Sequence, residues 1–239
     1  MPPVRVDLEA LAAADVAELQ RRILRAGLVC FPTDTVYGVG GALTPAVAAA
    51  LARAKRRDPD KPLQVVFASL ALLEAAVAMA PELRTACRRL LPGPVTLLLP
   101  YPTGWRFPPP GAVGADLQAP VATLGVRVPD WPPAARCLAA LELPLVASSA
   151  NPSGAPPPAE LAAVDPALLA ACDLALDGGR VGGVASSVVD LSRYAEEGRW
   201  RLLRAGVWSQ AEVAARLSGR RDEAGPGAAR ATREEPPTS

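Results

Sequence analysis

The sequence predicts an α/β fold: a twisted, mixed sheet with flanking helices. Three observations lead there. Short apolar runs of strand length interleave with helical patterns along the chain. Half of the 239 residues are hydrophobic and 21% are charged, which suits a packed core rather than a disordered chain. Two of the buried runs end in small polar residues, PTDT (32–35) and SSANPSG (148–154), as strands do at the ligand crevice of an open sheet.

The elements follow in order. Residues 13–26 read as an amphipathic helix with Ala17, Ile23 and Leu24 on its apolar side, stopped by Gly27. LVCFP (28–32) is a buried strand running into TDTVYGVGG, a polar, glycine-rich turn. A helix over 45–56 starts with Pro45 in its first turn. LQVVF (63–67) is a strand, helical patterns occupy 69–79 and 81–91, and VTLLL (95–99) is a further strand. The Pro- and Gly-rich stretch 101–120 is a long loop of the kind that serves as a lid or binding segment. LGVRV (124–128) is a strand with an arginine inside it, 131–141 a helix and LPLVASS (143–149) a strand. After a helical stretch at 158–171 come strands at 172–176, 186–192 and 200–204, then a helix at 209–218. One domain is expected over 1–218. Residues 219–239 read as a disordered tail, whose removal from residue 220 on should change little.

Composition excludes whole classes of function. Lys+Arg is 25 against Asp+Glu 24, a net charge of +1, so no global field draws nucleic acid or an anionic membrane. There is no histidine, which removes Ser-His-Asp triads, Cys-His pairs, His-ligated metals and a His general base. The chemistry must rest on Lys, Arg, carboxylates, hydroxyls and backbone, which suits attack on phosphate driven by positioning and charge stabilisation. Cys30, Cys87, Cys137 and Cys172 lack CxxC spacing and read as free thiols in a reducing compartment. The N-terminus lacks signal-peptide character and no apolar stretch is long enough to span a bilayer, so a cytoplasmic location is expected.

Four constellations carry chemistry. Thr33, Thr35, Ser149 and Asn151 at the strand ends offer short hydrogen-bonding groups for an amino acid or phosphate, or else ordinary turn chemistry. AKRRDPDKPL (54–63) gathers Lys55, Arg57 and Lys61 at a helix end: a polyphosphate clamp, or a solvated basic terminus favourable to the helix dipole. The only two lysines of the chain, Lys55 and Lys61, lie here, and the only asparagine is Asn151. Arg127, inside an apolar strand, needs a partner: a ligand carboxylate, or Asp34 or Asp130. DGGRVGGVASS (177–187) would let backbone approach a ligand closely, with Ser186 beside it, and matches neither a Walker A loop nor a Rossmann fingerprint.

Together these segments resemble the YrdC/Sua5 family of threonylcarbamoyl-AMP synthases. FPTDTVYGVG (31–40), AKRRDPDKPL (54–63), LPGPVTLLL (91–99), GVRVPD (125–130), SSANPSG (148–154), DGG (177–179), SSVVDL (186–191) and LLRAG (202–206) stand in family order, over roughly residues 10–217. The resemblance implies a single YrdC-like domain with a concave ligand cavity. It implies threonine contacts at Thr33, Thr35, Arg127, Ser149 and Ser186. Lys55 and Arg57 would form the catalytic nucleotide clamp, with Lys61, Thr123, Asn151 and Arg204 as further nucleotide contacts. It implies ATP with Mg²⁺ on its phosphates, L-threonine and bicarbonate as substrates, no metal held by the protein, and a downstream complex that modifies adenosine 37 of tRNA. Long family members carry an extra C-terminal domain, and the resemblance here implies a short form. Val66 stands where many members have a histidine, Asp58 replaces a proline, Ala185 a glutamate and Ala159 a hydroxyl residue. Two other readings go with the same cavity: a YciO-like paralogue of different acyl-adenylate specificity, which Val66 favours, and a non-catalytic protein that binds RNA or the ribosome.

Overall fold

The computed structural model describes residues 2–12, 15–56, 63–103, 105, 123–152 and 154–219. Of the expected features, most of the long 101–120 loop, Arg57, Asp58, Lys61 and the tail from residue 220 lie outside them. The described residues form one mixed sheet of ten strands. In chain order these are β1 (Val4–Asp7), β2 (Val29–Phe31), β3 (Gly38–Ala42), β4 (Gln64–Val66), β5 (Val95–Pro100), β6 (Thr123–Arg127), β7 (Leu145–Ser149), β8 (Leu174–Asp177), β9 (Ser187–Asp190) and β10 (Arg201–Arg204). Across the sheet they run β1-β8-β2-β3-β7-β4-β6-β5-β9-β10. The pairs β1/β8, β8/β2, β4/β6 and β5/β9 are parallel and the others antiparallel, so the sheet is mixed as expected.

Both sheet faces are covered, one of them incompletely. One face packs the central residues Val65, Leu97, Leu99, Leu124 and Val126 under α3 (Leu70–Ala76), α4 (Pro81–Leu90) and α7 (Gln210–Leu217). Further along the same face, Cys30, Val39 and Val146 pack under α2 (Pro45–Ala54) and α5 (Pro166–Ala170). On the other face, α1 (Val16–Arg25) and the 3₁₀ segment Pro133–Ala140 cover Val29, Phe31, Val66, Leu145 and Ala147. Side chains alternate between faces along a strand, so Gln64, Thr96, Arg127 and Val188 also project to this second face, beyond the reach of that cover. The uncovered part is where the cavity lies.

Several expectations change. TDTVYGVGG is not all turn, because GVGGA pairs on both sides as β3. A Cβ on Gly40 would sit 1.9 Å from the Val146 carbonyl oxygen, so the glycine is there for close strand approach rather than for turning. On α1, Val16, Leu19 and Ile23 are buried, whereas Ala17 and Leu24 face solvent. Within the expected 131–141 helix, Pro133–Ala140 form a 3₁₀ segment instead, entered through Pro132. The 158–171 stretch breaks into the 3₁₀ turn Leu161–Ala163 and α5, whose first residue is Pro166. The strand β1 and the short α6 (Tyr194–Glu197) were not anticipated.

The four cysteines are free. Cys30, Cys87 and Cys172 are buried and Cys137 is half-buried. Burial pushes the Cys87 and Cys172 thiols up to about 12, and Cys30 higher still, so none is a thiolate near neutrality. Among the described residues no helix is long and apolar enough to cross a membrane.

The last helix is secured by a capping box. Ser209 Oγ accepts the Glu212 N–H at 3.3 Å, and Glu212 returns a carboxylate to the Ser209 N–H at 2.7 Å. Ser209→Ala is expected to cost about 1 kcal/mol in denaturant titrations. The Ser209 N–H and then its hydroxyl hold the Glu212 carboxyl below its ordinary range. That contribution is present above the unfolded pKa of Glu and is lost as pH falls through the lower folded value. The penalty of the substitution should therefore shrink in acid.

Candidate functional site

A cavity of about 370 Å³ opens on the uncovered part of the sheet. Of the residues expected to bind ligand, Thr33, Arg127, Ser149, Asn151, Ser186 and Arg204 line it. They come from four parts of the chain: the end of β2, the end of β6, the end of β7, and the β9/β10 pair. Thr35 and Thr123 are buried and lie outside the lining. Val66 lines the wall between α1's cover and the open part.

The PTDT segment is a tight hydroxyl turn. Thr33 Oγ1 donates to the Val36 carbonyl at 2.7 Å and accepts the Thr35 and Val36 N–H groups, each at 3.3 Å. With that proton committed, the 3.0 Å contact between the two hydroxyls runs from Thr35 to Thr33. The turn chemistry foreseen for this segment is thus present, and it holds Thr33 rigidly against the cavity.

Arg127 finds its partner in Asp34, not in the Asp130 side chain. Nη2 donates to Asp34 Oδ1 at 2.5 Å, and the backbone N–H of Asp130 donates to Oδ2 at 3.3 Å. Both members of the pair are almost wholly buried. Burial pushes the Asp34 carboxyl up, against the pull of Arg127. Burial likewise lowers Arg127, although a guanidinium keeps its proton in proteins. The ion pair leaves the Nε of Arg127 buried with no partner among the described residues.

Lys55 lies outside the lining and reaches β7 from the opposite face of the sheet. It is the C-terminal cap of α2, and Arg56 next to it takes a left-handed φ of 48°, which turns the chain out of the helix. Lys55 Nζ donates to Ser148 Oγ at 2.9 Å and to the Ser149 carbonyl at 2.5 Å. Arg57, expected to join Lys55 in a phosphate clamp, lies outside the described residues.

At the far wall Arg204 Nη2 donates to the Ser186 carbonyl at 2.9 Å. Asn151 Nδ2 donates to the Ala155 carbonyl, and its Oδ1 is buried without a partner among the described residues. The Asp34–Arg127 pair cancels, so Arg204 gives the lining a positive bias that suits an anionic ligand.

The glycine-rich stretch 177–187 packs on the PTDT turn. A Cβ on Gly178 would meet Pro32 Cγ at 2.7 Å, and the Gly183 N–H donates to the Thr35 carbonyl at 2.7 Å. Tyr37, missed from sequence, ties the two together. Its hydroxyl donates to the Gly179 carbonyl at 2.8 Å and accepts the Gly178 N–H at 3.1 Å. Burial pushes this phenol up to about 12, so it remains a neutral bridge. Gln64 and Thr96 also line the cavity and were not foreseen. The signal was present, since each is the polar residue of an otherwise apolar strand.

No group of three or more Cys, Asp or Glu side chains among the described residues is placed to hold a metal ion. The hydroxyl, amide and cation lining suits a metal that arrives on a ligand's phosphates rather than one caged by the protein.

Known proteins match this architecture. The threonylcarbamoyl-AMP synthase of Xanthomonas campestris is 37% identical over 169 residues, 68% of this chain and 84% of that protein. Those of Bacillus subtilis and Pyrococcus abyssi are 36% and 34% identical over 68% and 70% of this chain. The chain spans about half the length of these two relatives, 46% and 48%. The crystal structure of P. abyssi Sua5 complexed with L-threonine superposes with a TM-score of 0.68 at 31% identity, over 92% of this chain and 61% of that one. Escherichia coli YciO shares the fold, with a TM-score of 0.64 at 20% identity over 86% of this chain and 95% of that one. The profile of the Sua5/YciO/YrdC family, described as telomere recombination, matches residues 21–206, and with the sheet, cavity and relatives above, the chain belongs to that family.

Proposed function

We propose that the chain is an L-threonylcarbamoyladenylate synthase, a cytoplasmic nucleotidyltransferase that makes threonylcarbamoyl-AMP and pyrophosphate from L-threonine, bicarbonate and ATP. One observation carries the reading. A hydroxyl- and amide-lined cavity with Arg127 and Arg204 among its lining residues occurs in a family whose P. abyssi member was crystallised with L-threonine.

The chemistry suits the residues. The threonine amine attacks the carbon of bicarbonate and water leaves, giving a carbamate, R–NH–COO⁻. A carbamate oxygen then attacks the α-phosphorus of ATP, the bond to the bridging oxygen of the β-phosphate breaks, and pyrophosphate leaves. No protein nucleophile takes part, in keeping with the absence of histidine and the buried thiols. In this reading Arg127, Thr33, Thr35, Ser149 and Ser186 hold threonine. Lys55 and Arg57 grip the phosphates and stabilise their developing charge, with Lys61, Thr123, Asn151 and Arg204 as further nucleotide contacts. Mg²⁺ accompanies ATP as part of the substrate. The product passes to a separate complex that transfers the threonylcarbamoyl group to tRNA.

The test is pyrophosphate release by the purified protein with ATP and Mg²⁺, with and without L-threonine and bicarbonate. Release that requires both is expected. Release that ignores threonine would overturn the reading.

A further inference from the structure

Gln64 and Thr96 line the cavity but have no part in the roles just given. Thr96 Oγ1 donates to Gln64 Oε1 at 3.1 Å. The strand β6 lies between theirs, and its residue in register with Gln64 is Gly125. Strands are spaced about 4.8 Å apart, so the bond crosses two strand intervals over a position that has no side chain. Ser186 Oγ is 2.9 Å from Thr96 Oγ1. A hydroxyl has one proton, and Thr96 gives its own to Gln64, so the Ser186 proton must point at Thr96. The protons therefore run in one direction, from Ser186 to Thr96 to Gln64.

This order fixes what the floor of the cavity offers. Ser186 Oγ is left as an acceptor, approached by Arg204 Nη2 at 3.4 Å. Gln64 has its Oε1 occupied, so what it brings to the cavity is the Nε2 pair of N–H donors. The ammonium form of an amino acid's amino group has nothing for those donors to bind. A carbamate has both halves of the complement: an N–H for Ser186 and, one bond away, a carboxylate for Gln64.

We infer that Gln64 is the specificity residue for the carboxylate that bicarbonate adds to the amino acid, and that Thr96 is the positioning residue that orients Gln64 and Ser186 for it. The inference rests on the synthase reading. A neutral amide suits the task chemically. It holds the carboxylate by hydrogen bonds without the full positive charge that would quench the nucleophilicity of the attacking oxygen.

The test uses Gln64→Glu, which keeps an acceptor for Thr96 and so preserves the proton order, but replaces the donors with negative charge. Its KM for bicarbonate is expected to rise at least about tenfold while its KM for ATP stays within about twofold, the scale of one hydrogen bond to a charged group. Thr96→Val should move the bicarbonate KM the same way by a smaller factor. A wild-type bicarbonate KM in Gln64→Glu overturns the inference and leaves the synthase reading standing. Calorimetric titration of threonine without ATP, at low and high bicarbonate, provides a readout independent of turnover. Bicarbonate should tighten threonine binding to the wild type and not to Gln64→Glu; equal linkage in both proteins overturns the inference. If the wild type releases no pyrophosphate in response to threonine and bicarbonate, the synthase reading falls, and this titration alone decides the role of Gln64.

Discussion

Lys55→Ala is expected to lower threonine- and bicarbonate-dependent pyrophosphate release by about 10²–10³-fold, the usual cost of removing a preorganised group that meets developing charge. The local structure explains why one side chain has such leverage. Thr44 caps the start of α2, accepting the Val47 N–H at 3.3 Å, and Pro45 fixes its first turn. The helix is thereby held in place and delivers Lys55 at its C-terminus, where the helix dipole favours a cation. The left-handed Arg56 then ends the helix, and the lysine side chain crosses to β7. The half-buried ends of Ser148 and Ser149 that its removal leaves can turn to water, which limits the loss of stability. Folding should survive while turnover collapses. Lys55→Arg should recover little, since a planar fork does not reproduce a point donor shared by Ser148 Oγ and the Ser149 carbonyl. Steady-state pyrophosphate release alongside a thermal melt measures both effects; near-normal turnover in Lys55→Ala would remove Lys55 from the mechanism.

The sheet was largely legible in the sequence because its strands are buried on both faces and read as apolar runs. What escaped was decided by tertiary contact. Glycine richness signals a turn locally, but Gly38–Ala42 is a strand because β7 approaches too closely for a Cβ at Gly40. The edge strand β1 is mostly exposed and has no apolar run to betray it. On α1 the apolar residues Leu19 and Leu24 are both compatible with a helical stripe, and only the position of the sheet determines that Leu19 is buried and Leu24 is not.

The site was legible for a different reason. A polar residue inside an apolar strand has to be satisfied, and this argument singled out Arg127. Applied evenly, it also reaches Gln64 in LQVVF and Thr96 in VTLLL, and both line the cavity. Strand ends supplied Thr33, Ser149 and Asn151. What no local rule supplies is which hydroxyls are already committed. Thr33 spends its proton on its own turn, whereas Ser186 is turned into an acceptor by Thr96, a residue 90 positions away in sequence. Sequence did name Asp34 and Asp130 as candidate partners of Arg127, and only the fold decides that Asp34 takes one arm of it.

That ion pair leads to the second large effect. Arg127→Ala is expected to cost about 3–5 kcal/mol of stability, because it strands Asp34 as a buried, unpaired carboxylate. The pH dependence identifies the cause. Burial already raises the Asp34 carboxyl, and losing the opposing cation raises it further. For an acid whose folded pKa is raised, the folded state holds a proton that the unfolded chain releases, so stability falls as pH rises from the unfolded value through the folded one. The penalty of Arg127→Ala should therefore be smallest in acid, where Asp34 is neutral, and grow towards neutrality. Asp34→Ala combined with Arg127→Ala removes the stranded charge and should recover most of the loss. Threonine binding, measured by calorimetry, should not recover, because the donors proposed to hold its carboxylate are gone. Stability and binding that return together would reduce Arg127 to a structural partner of Asp34. Stability that returns alone separates the two duties of one guanidinium, the ion pair through Nη2 that anchors the PTDT turn and the proposed hold on threonine.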